Sequence, residues 1–194
     1  MKVSVLGASG RAGSEITKEL ARRGYDVVGV ARTPDAIPAL PEVKAVAGDA
    51  SDAEDLAQVI KGSDAVISAL HFDIPAQTLL SALKKAGVNR FLVTGGAGSL
   101  EVAKGVRLID TPDFPQEWKA FAQGGVDFLA ALRKETEIDW TFFSPAALIF
   151  EGPRLGHYRL GGDQLVTDKD GNSRISFADY AIAMVDELEK HRYS

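Results

Sequence analysis

The chain reads as an α/β protein: a Rossmann-type doubly wound parallel sheet with helices on both faces, built as one domain over residues 1–194. Three observations predict this. Strand-like and helix-like segments alternate from end to end. The strand segments are short continuous apolar runs rather than alternating ones, as expected of strands covered on both faces. The first such run, Val3-Ser4-Val5-Leu6, opens into glycines at Gly7, Gly10 and Gly13 before a helix starts, the arrangement of a phosphate-binding βα turn.

Taken in order, Lys2–Leu6 is the first strand and Arg11 to about Arg23 the first helix, stopped by Gly24. Tyr25–Ala31 and Val43–Ala47 are strands, the second closed by Gly48-Asp49. Ser51 or Asp52 caps a helix that ends near Ile60. Asp64–Ser68 is a strand, Ile74–Ala86 a helix ended by Gly87, and Arg90–Thr94 a strand. A long helix is expected over about Pro115–Glu135, with Gly124-Gly125 as a point where it breaks. Trp140–Phe143 is the sixth strand, and Ser176 caps a last helix, Phe177–Lys190. Right-handed crossovers then predict the strand order 3-2-1-4-5-6. Residues 151–175 interrupt the alternation. They are expected to form a loop insertion with a short hairpin turning at Asp170-Gly171, near the substrate site and able to cover it.

Bulk properties narrow the function classes. Apolar residues make up 45% and charged residues 25% of the chain, ordinary values for a globular protein. The net charge is −5 and no Lys/Arg block occurs, which argues against a nucleic-acid partner. The absence of cysteine excludes disulfides, thiolate zinc sites and a cysteine nucleophile. No apolar stretch is long enough to cross a bilayer. The first strand starts directly after Met1-Lys2, leaving no room for a leader, so a cytoplasmic protein is expected. Monomer and homodimer both remain open.

The glycine turn assigns the first candidate site. Gly7 permits the tight turn, Gly10 lets a pyrophosphate approach the backbone, and Gly13 lets the helix pack on the strand. Ser9, Arg11 and Ala12 complete the turn, whose bare N–H groups and helix dipole favour an anion. The spacing is G-x-x-G-x-x-G rather than G-x-G-x-x-G. The second strand ends in Ala31-Arg32 with no carboxylate, and a base there suits the 2′-phosphate of NADP(H) over the free ribose of NAD(H). Arg11 is expected to add a second cation. Asp49, followed by Ala50, either receives the adenine amino group or forms an Asx turn. Small residues at later strand ends leave room for ribose and nicotinamide: Ala69-Leu70, Thr94-Gly95-Gly96 and Ser144-Pro145-Ala146.

These residues resemble a known family. Gly7-Ala-Ser-Gly10-Arg-Ala-Gly13, Ala31-Arg32, Gly48-Asp49, Ile67-Ser68-Ala69-Leu70 and Val93-Thr94-Gly95-Gly96-Ala97-Gly98 are similar to the atypical short-chain dehydrogenase/reductase superfamily. The closer likeness is to its NAD(P)H-binding branch of NmrA-like proteins and biliverdin reductase B-type flavin reductases. Asp110–Trp118, Asp139–Ala146, Tyr158–Gln164 and Gly171–Ser176 also resemble a bacterial subgroup of NADH-flavin reductases. The resemblance covers almost the whole chain. It implies a Rossmann fold and NAD(P)H binding, in a branch that holds both enzymes and non-catalytic sensors.

One departure matters. The superfamily's Tyr-x-x-x-Lys acid/base pair is missing, since none of Tyr25, Tyr158, Tyr180 and Tyr193 has a lysine four residues on. If Asp127 matches the acidic residue that follows the pair, the lysine and tyrosine slots fall on Gln123 and Lys119. Hydride transfer without a strong protein acid suits a flat acceptor such as a flavin or quinone. His71, after the fourth strand, is the one weak candidate for a catalytic acid. Phe72, Trp118 and Phe114 form a candidate aromatic shelf, and His157-Tyr158 in the insertion are candidate pocket-lining residues. His191 is expected to complement the last helix dipole. Asp110, Asp113 and Glu117 lack a histidine or cysteine neighbour, so no metal site is expected. The expectation is therefore an NADPH-dependent reductase with a small-molecule acceptor. The alternative is an NAD(P)-binding redox sensor of NmrA type. Nucleotide-sugar epimerase or dehydratase chemistry is disfavoured, because the chain is short for a substrate domain and lacks the tyrosine.

Overall fold

The computed structural model describes residues 1–194. Six parallel strands form the central sheet: β1 (Lys2–Leu6), β2 (Asp26–Ala31), β3 (Val43–Ala47), β4 (Ala65–Ser68), β5 (Arg90–Thr94) and β8 (Asp139–Phe143). Their order is β3-β2-β1-β4-β5-β8, the predicted doubly wound order. The order reverses between β1 and β4, which opens a crevice at the carboxyl ends of these two strands. The helices are α1 (Arg11–Arg22), α2 (Ala53–Ile60), α3 (Ala76–Ala86), α4 (Gln116–Leu132) and α5 (Phe177–Lys190).

Two apolar cores sandwich the sheet, which is why its strands read as unbroken apolar runs. On one face α1 and α5 bury Ile16, Leu20, Tyr180, Met184 and Val185 against Val3, Val5 and Ile67. On the other, α2, α3 and α4 bury Leu56, Ile60, Leu79, Leu83, Phe128 and Leu132 against Leu6, Val66 and Phe91. Asp52 is the N-cap of α2, its carboxylate accepting from the N–H groups of Glu54 and Asp55. Ser176 caps α5 by accepting from Asp179 N–H. Gly87 ends α3 in the left-handed region at φ 71°.

Three expectations need correction. Helix α4 runs unbroken through Gly124-Gly125. Those glycines make room for the Phe72 ring, since a Cβ on Gly125 would lie 3.0 Å from it. Residues 151–175 are not a hairpin insertion. A turn does occur there, with Gly171 at φ 83° and Asp168 N–H bonded to Asn172 C=O. But β10 (Arg174–Ser176) pairs in parallel with β9 (Leu148–Phe150), so the chain between them is a crossover strap. Midway, the strap bonds a second small unit, in which β6 (Glu101–Ala103) and β7 (Val106–Arg107) pair antiparallel. Glu101 N–H donates to Asp163 C=O, and Leu165 N–H donates to Glu101 C=O. These four strands hold only two or three residues each and leave no mark in the sequence pattern.

Candidate dinucleotide site

The glycine turn lies at the carboxyl end of β1. Gly7 sits at φ 74°, and a Cβ on it would stand 2.8 Å from Ala69 C=O. A Cβ on Gly13 would stand 2.0 Å from Gly7 C=O, a distance only glycine tolerates. Strand, turn and helix can close on one another only with these two glycines in place. Gly10, the N-cap of α1, offers no side chain to the helix end. Gly10 N–H is bonded to Gly7 C=O, and the first helical bond is Ser14 N–H to Gly10 C=O. The N–H groups of Ser9, Arg11, Ala12 and Gly13 therefore have no backbone acceptor. The first turn of α1 also carries no acid. This is a cradle of bare donors at the positive end of a helix, which fits a phosphate.

Arg32 stands exposed just past β2 with no ion-pair or hydrogen-bond partner. Asp49 faces it from the end of β3, across the Gly48 N–H to Ala31 C=O bond. Its Oδ1 accepts from both Ser51 Oγ (2.6 Å) and Ser51 N–H (2.9 Å), so the Asx turn does form. Those two bonds, with the charge of Arg32 nearby, hold the Asp49 carboxyl below its ordinary value. Ala50 is buried in the core behind it.

Ala69 and Leu70 border the turn directly; Leu70 Cδ2 comes within 3.3 Å of where a Gly7 Cβ would be. Thr94 Oγ1 donates to Ser68 C=O at 3.0 Å, tying the ends of β5 and β4 together. Gly95 N–H donates to Phe143 C=O, and Gly96 lies under the Phe72 ring. Gly7–Gly13, Ala69-Leu70 and Thr94–Gly96 thus share one rim of the sheet. Ser144, Pro145 and Ala146 continue it past β8 into a cavity of about 1190 Å³ roofed by the strap. His157 and Tyr158 line that cavity, as do Phe142, Phe143 and Phe150.

The aromatic grouping differs from the expected shelf. Phe72 stacks on Phe142 with centroids 6.0 Å apart and packs against Phe121 and Phe128 at 5.5 Å. Exposed His71 meets Phe121 edge-on at 5.6 Å. Phe121 takes the place assigned to Trp118, which is 52% exposed on α4 and outside this group. Phe114 makes no aromatic contact with it either. Phe121 was missed because an exposed aromatic four residues before Gly125 carries no sequence signal of its own.

Three of the four tyrosine hydroxyls are spent on partners within the protein. Tyr180 is buried, with its hydroxyl donating to Phe143 C=O, and burial pushes its pKa up. Tyr158 donates to Asp186 (2.5 Å), and Tyr25 donates to Glu189 (2.9 Å). Tyr193 lies in the C-terminal tail, its N–H on Glu187. On α4, Gln123 is exposed and bonded to Asp127 at 2.8 Å, while Lys119 is half-buried. His191, the αL C-cap of α5, contacts Asp139 at 2.9 Å. No cluster of histidine and carboxylate suited to a metal is present, and no helix is long and apolar enough to cross a membrane.

Comparisons with known proteins agree with this geometry. A family model described as NAD(P)H-binding matches residues 7–188. The chain is 42% identical to the uncharacterized protein YwnB of Bacillus subtilis, over 97% of this chain and 92% of that one. A crystal structure described as a putative epimerase from Bacteroides thetaiotaomicron superposes with a TM-score of 0.94 at 44% identity, covering 99% of this chain and 92% of the other. A putative NADH-flavin reductase from Streptococcus pneumoniae superposes at 0.86 with 37% identity, covering 100% and 95%. The fold is common to the two solved structures, while the activities in their descriptions differ.

Proposed function

We propose that this chain, which belongs to the NAD(P)H-binding family, is a reductase that passes a hydride from NADPH to a flat acceptor of flavin or quinone type. One observation carries the reading. A cradle of bare N–H groups at Ser9–Gly13 lies on the same rim as an unspent cation, Arg32, and as the small-residue ends of β4, β5 and β8. The turn would hold the pyrophosphate, and Arg32 the 2′-phosphate, which favours NADP(H) over NAD(H). Asp49 Oδ1 is taken by Ser51, leaving Oδ2 for the adenine amino group. Thr94, Gly95, Gly96 and Ser144–Ala146 would bound the nicotinamide end.

When bound, reduced nicotinamide supplies the hydride. The chain's part is to hold an acceptor against it and keep water out. The cavity under the strap begins at Ser144–Ala146 and is walled by aromatics, which suits a planar molecule. None of the hydroxyls of Tyr25, Tyr158 and Tyr180 is free to protonate an acceptor. That supports an acceptor whose reduced form takes its proton from water, and gives exposed His71 at most a minor role. A cytoplasmic location fits the same reading.

The test is direct. Protein and NADPH are mixed with FMN, menadione or ferricyanide, and the nicotinamide absorbance is followed. Turnover with a flavin or quinone supports the reductase. Tight NADPH binding with no turnover on any acceptor would sink it and favour a redox sensor.

A further inference from the structure

Two cations border the dinucleotide crevice without a salt bridge, and they do not point to the same end of it. Arg32 follows β2, on the β2–β3 half of the sheet. Arg11 is the first residue of α1, inside the cradle, and its guanidinium carbon lies 5.5 Å above the ring of Phe177. Phe177 is the first residue of α5. That helix packs beside α1 on the flank nearer β5 and β8: Tyr180 touches Phe143 of β8 (centroids 5.8 Å), and the same core holds Leu92 of β5. Arg11 is thus held on the opposite side of the turn from Arg32.

The ring that holds it is itself fixed. Phe177 is 9% exposed. The residue before it, Ser176, ends β10, donates to Pro153 C=O at 2.8 Å and accepts from Asp179 N–H at 3.1 Å. Asp179 Oδ1 in turn accepts from Leu155 and Gly156 N–H at 2.8 and 3.0 Å. A guanidinium over an aromatic face is attracted by the ring quadrupole and loses little hydration there. Arg11 is therefore parked beside the cradle, while its guanidinium N–H groups stay free of any carboxylate.

We infer that Phe177 is a positioning residue for the cofactor: it stations Arg11 on the pyrophosphate, away from the 2′-phosphate. Arg11 then strengthens NADH and NADPH alike, and Arg32 alone discriminates between them. This departs from the expectation that Arg11 adds to NADP preference, and it rests on the reading of the turn as a dinucleotide site.

The experiment is an equilibrium fluorescence titration of NADH and NADPH with the full chain and three variants, beside thermal melts. Arg11→Ala is expected to weaken both cofactors by the same factor, about 10-fold. Phe177→Leu, which keeps apolar bulk, is expected to weaken both by about 3-fold. In Arg11→Ala/Phe177→Leu the second change should add nothing, because a ring with no guanidinium to hold has no role in binding. A general packing role for Phe177 would lower affinity equally in both backgrounds, and that result overturns the inference. So does an Arg11→Ala loss confined to NADPH, or no loss at all in a protein that binds both cofactors. If the unaltered chain binds neither cofactor, the dinucleotide reading falls, and this inference with it.

Discussion

The two ends of the sheet handle charge in opposite ways. At the carboxyl ends of the strands, Ser9, Arg11, Ala12 and Gly13 leave donors bare, and Arg11 and Arg32 form no salt bridge. At the amino ends, charges are spent on one another. Glu19, 3% exposed on α1, accepts from Arg22, Arg23 (2.9 Å) and Arg154 (3.2 Å). Arg23 reaches on to Asp186 and Glu189 at 2.8 and 3.1 Å. Asp186 also receives Tyr158 and Lys190. Burial alone would raise the Glu19 carboxyl, and the hydrogen bonds from Arg23 and Arg154 outweigh it and hold the group low. One end is a lock between α1, α5 and the strap. The other keeps its hydrogen-bonding capacity for a ligand, and locked and open ends are where stability and binding should separate on mutation.

The sharpest way to break this contrast is at Gly13. Gly13→Ala places a methyl 2.0 Å from Gly7 C=O, so the turn must move. NADPH affinity should fall by at least ~100-fold with a stability loss of about 4 kcal/mol, read by titration and a thermal melt. Next is Glu19→Gln, which removes the buried carboxylate that Arg22, Arg23 and Arg154 share. It should cost about 2 kcal/mol in urea unfolding while NADPH affinity stays unchanged; a matching loss of affinity would show that the ends are not independent. Arg32→Ala should do the reverse. NADPH binding drops about 10-fold, NADH binding and the urea midpoint hold, and equal losses for both cofactors would remove Arg32 from 2′-phosphate recognition.

The smallest effect is in acid. Burial pushes the Asp186 carboxyl up, but hydrogen bonds from Tyr158, Arg23 and Lys190 win and bring it down to about 2. A carboxyl depressed on folding stabilises above its unfolded value, near ~3.9, and that stability is lost as pH falls through the folded value. Unfolding measured between about pH 4 and 2 should therefore steepen because of Asp186, by about 1–2 kcal/mol in all. Asp186→Asn should flatten the slope in that window and leave it unchanged above pH 5.

This division was half legible in the sequence. The sheet order and the glycine turn were readable because each is written largely locally: apolar runs of four to six residues, and a Gly10 and Gly13 whose close contacts are with Gly7 a few residues earlier. The lock was not. Glu19 and Asp186 look like ordinary solvated helix charges, and Arg23, which joins them, lies far in the chain from Asp186 and from Arg154, which reaches Glu19 from the strap. Gly124-Gly125 read as a helix breaker because the reason for them, the Phe72 ring, lies some fifty residues earlier. The strands β6, β7, β9 and β10 hold two or three residues each, too few for any period to register. Asp49 was readable only as two alternatives, and Ser51 settled that the turn forms.

The parallel pairing of β9 with β10 has an engineering consequence. Parallel neighbours cannot be joined by a tight turn, since the chain must travel back the length of a strand before it can start the next. The stretch from Glu151 to Ser173 is therefore obligatory in existence, and its composition is free only away from Arg154 and Tyr158, which pair with Glu19 and Asp186. Shortening it to a few residues would unthread β10 and uncap α5. Replacing its middle with a different segment of similar span would leave the central sheet intact and remodel one wall of the cavity beneath it. Grafted straps, more than point substitutions in the core, are the natural route to altering what this scaffold accepts.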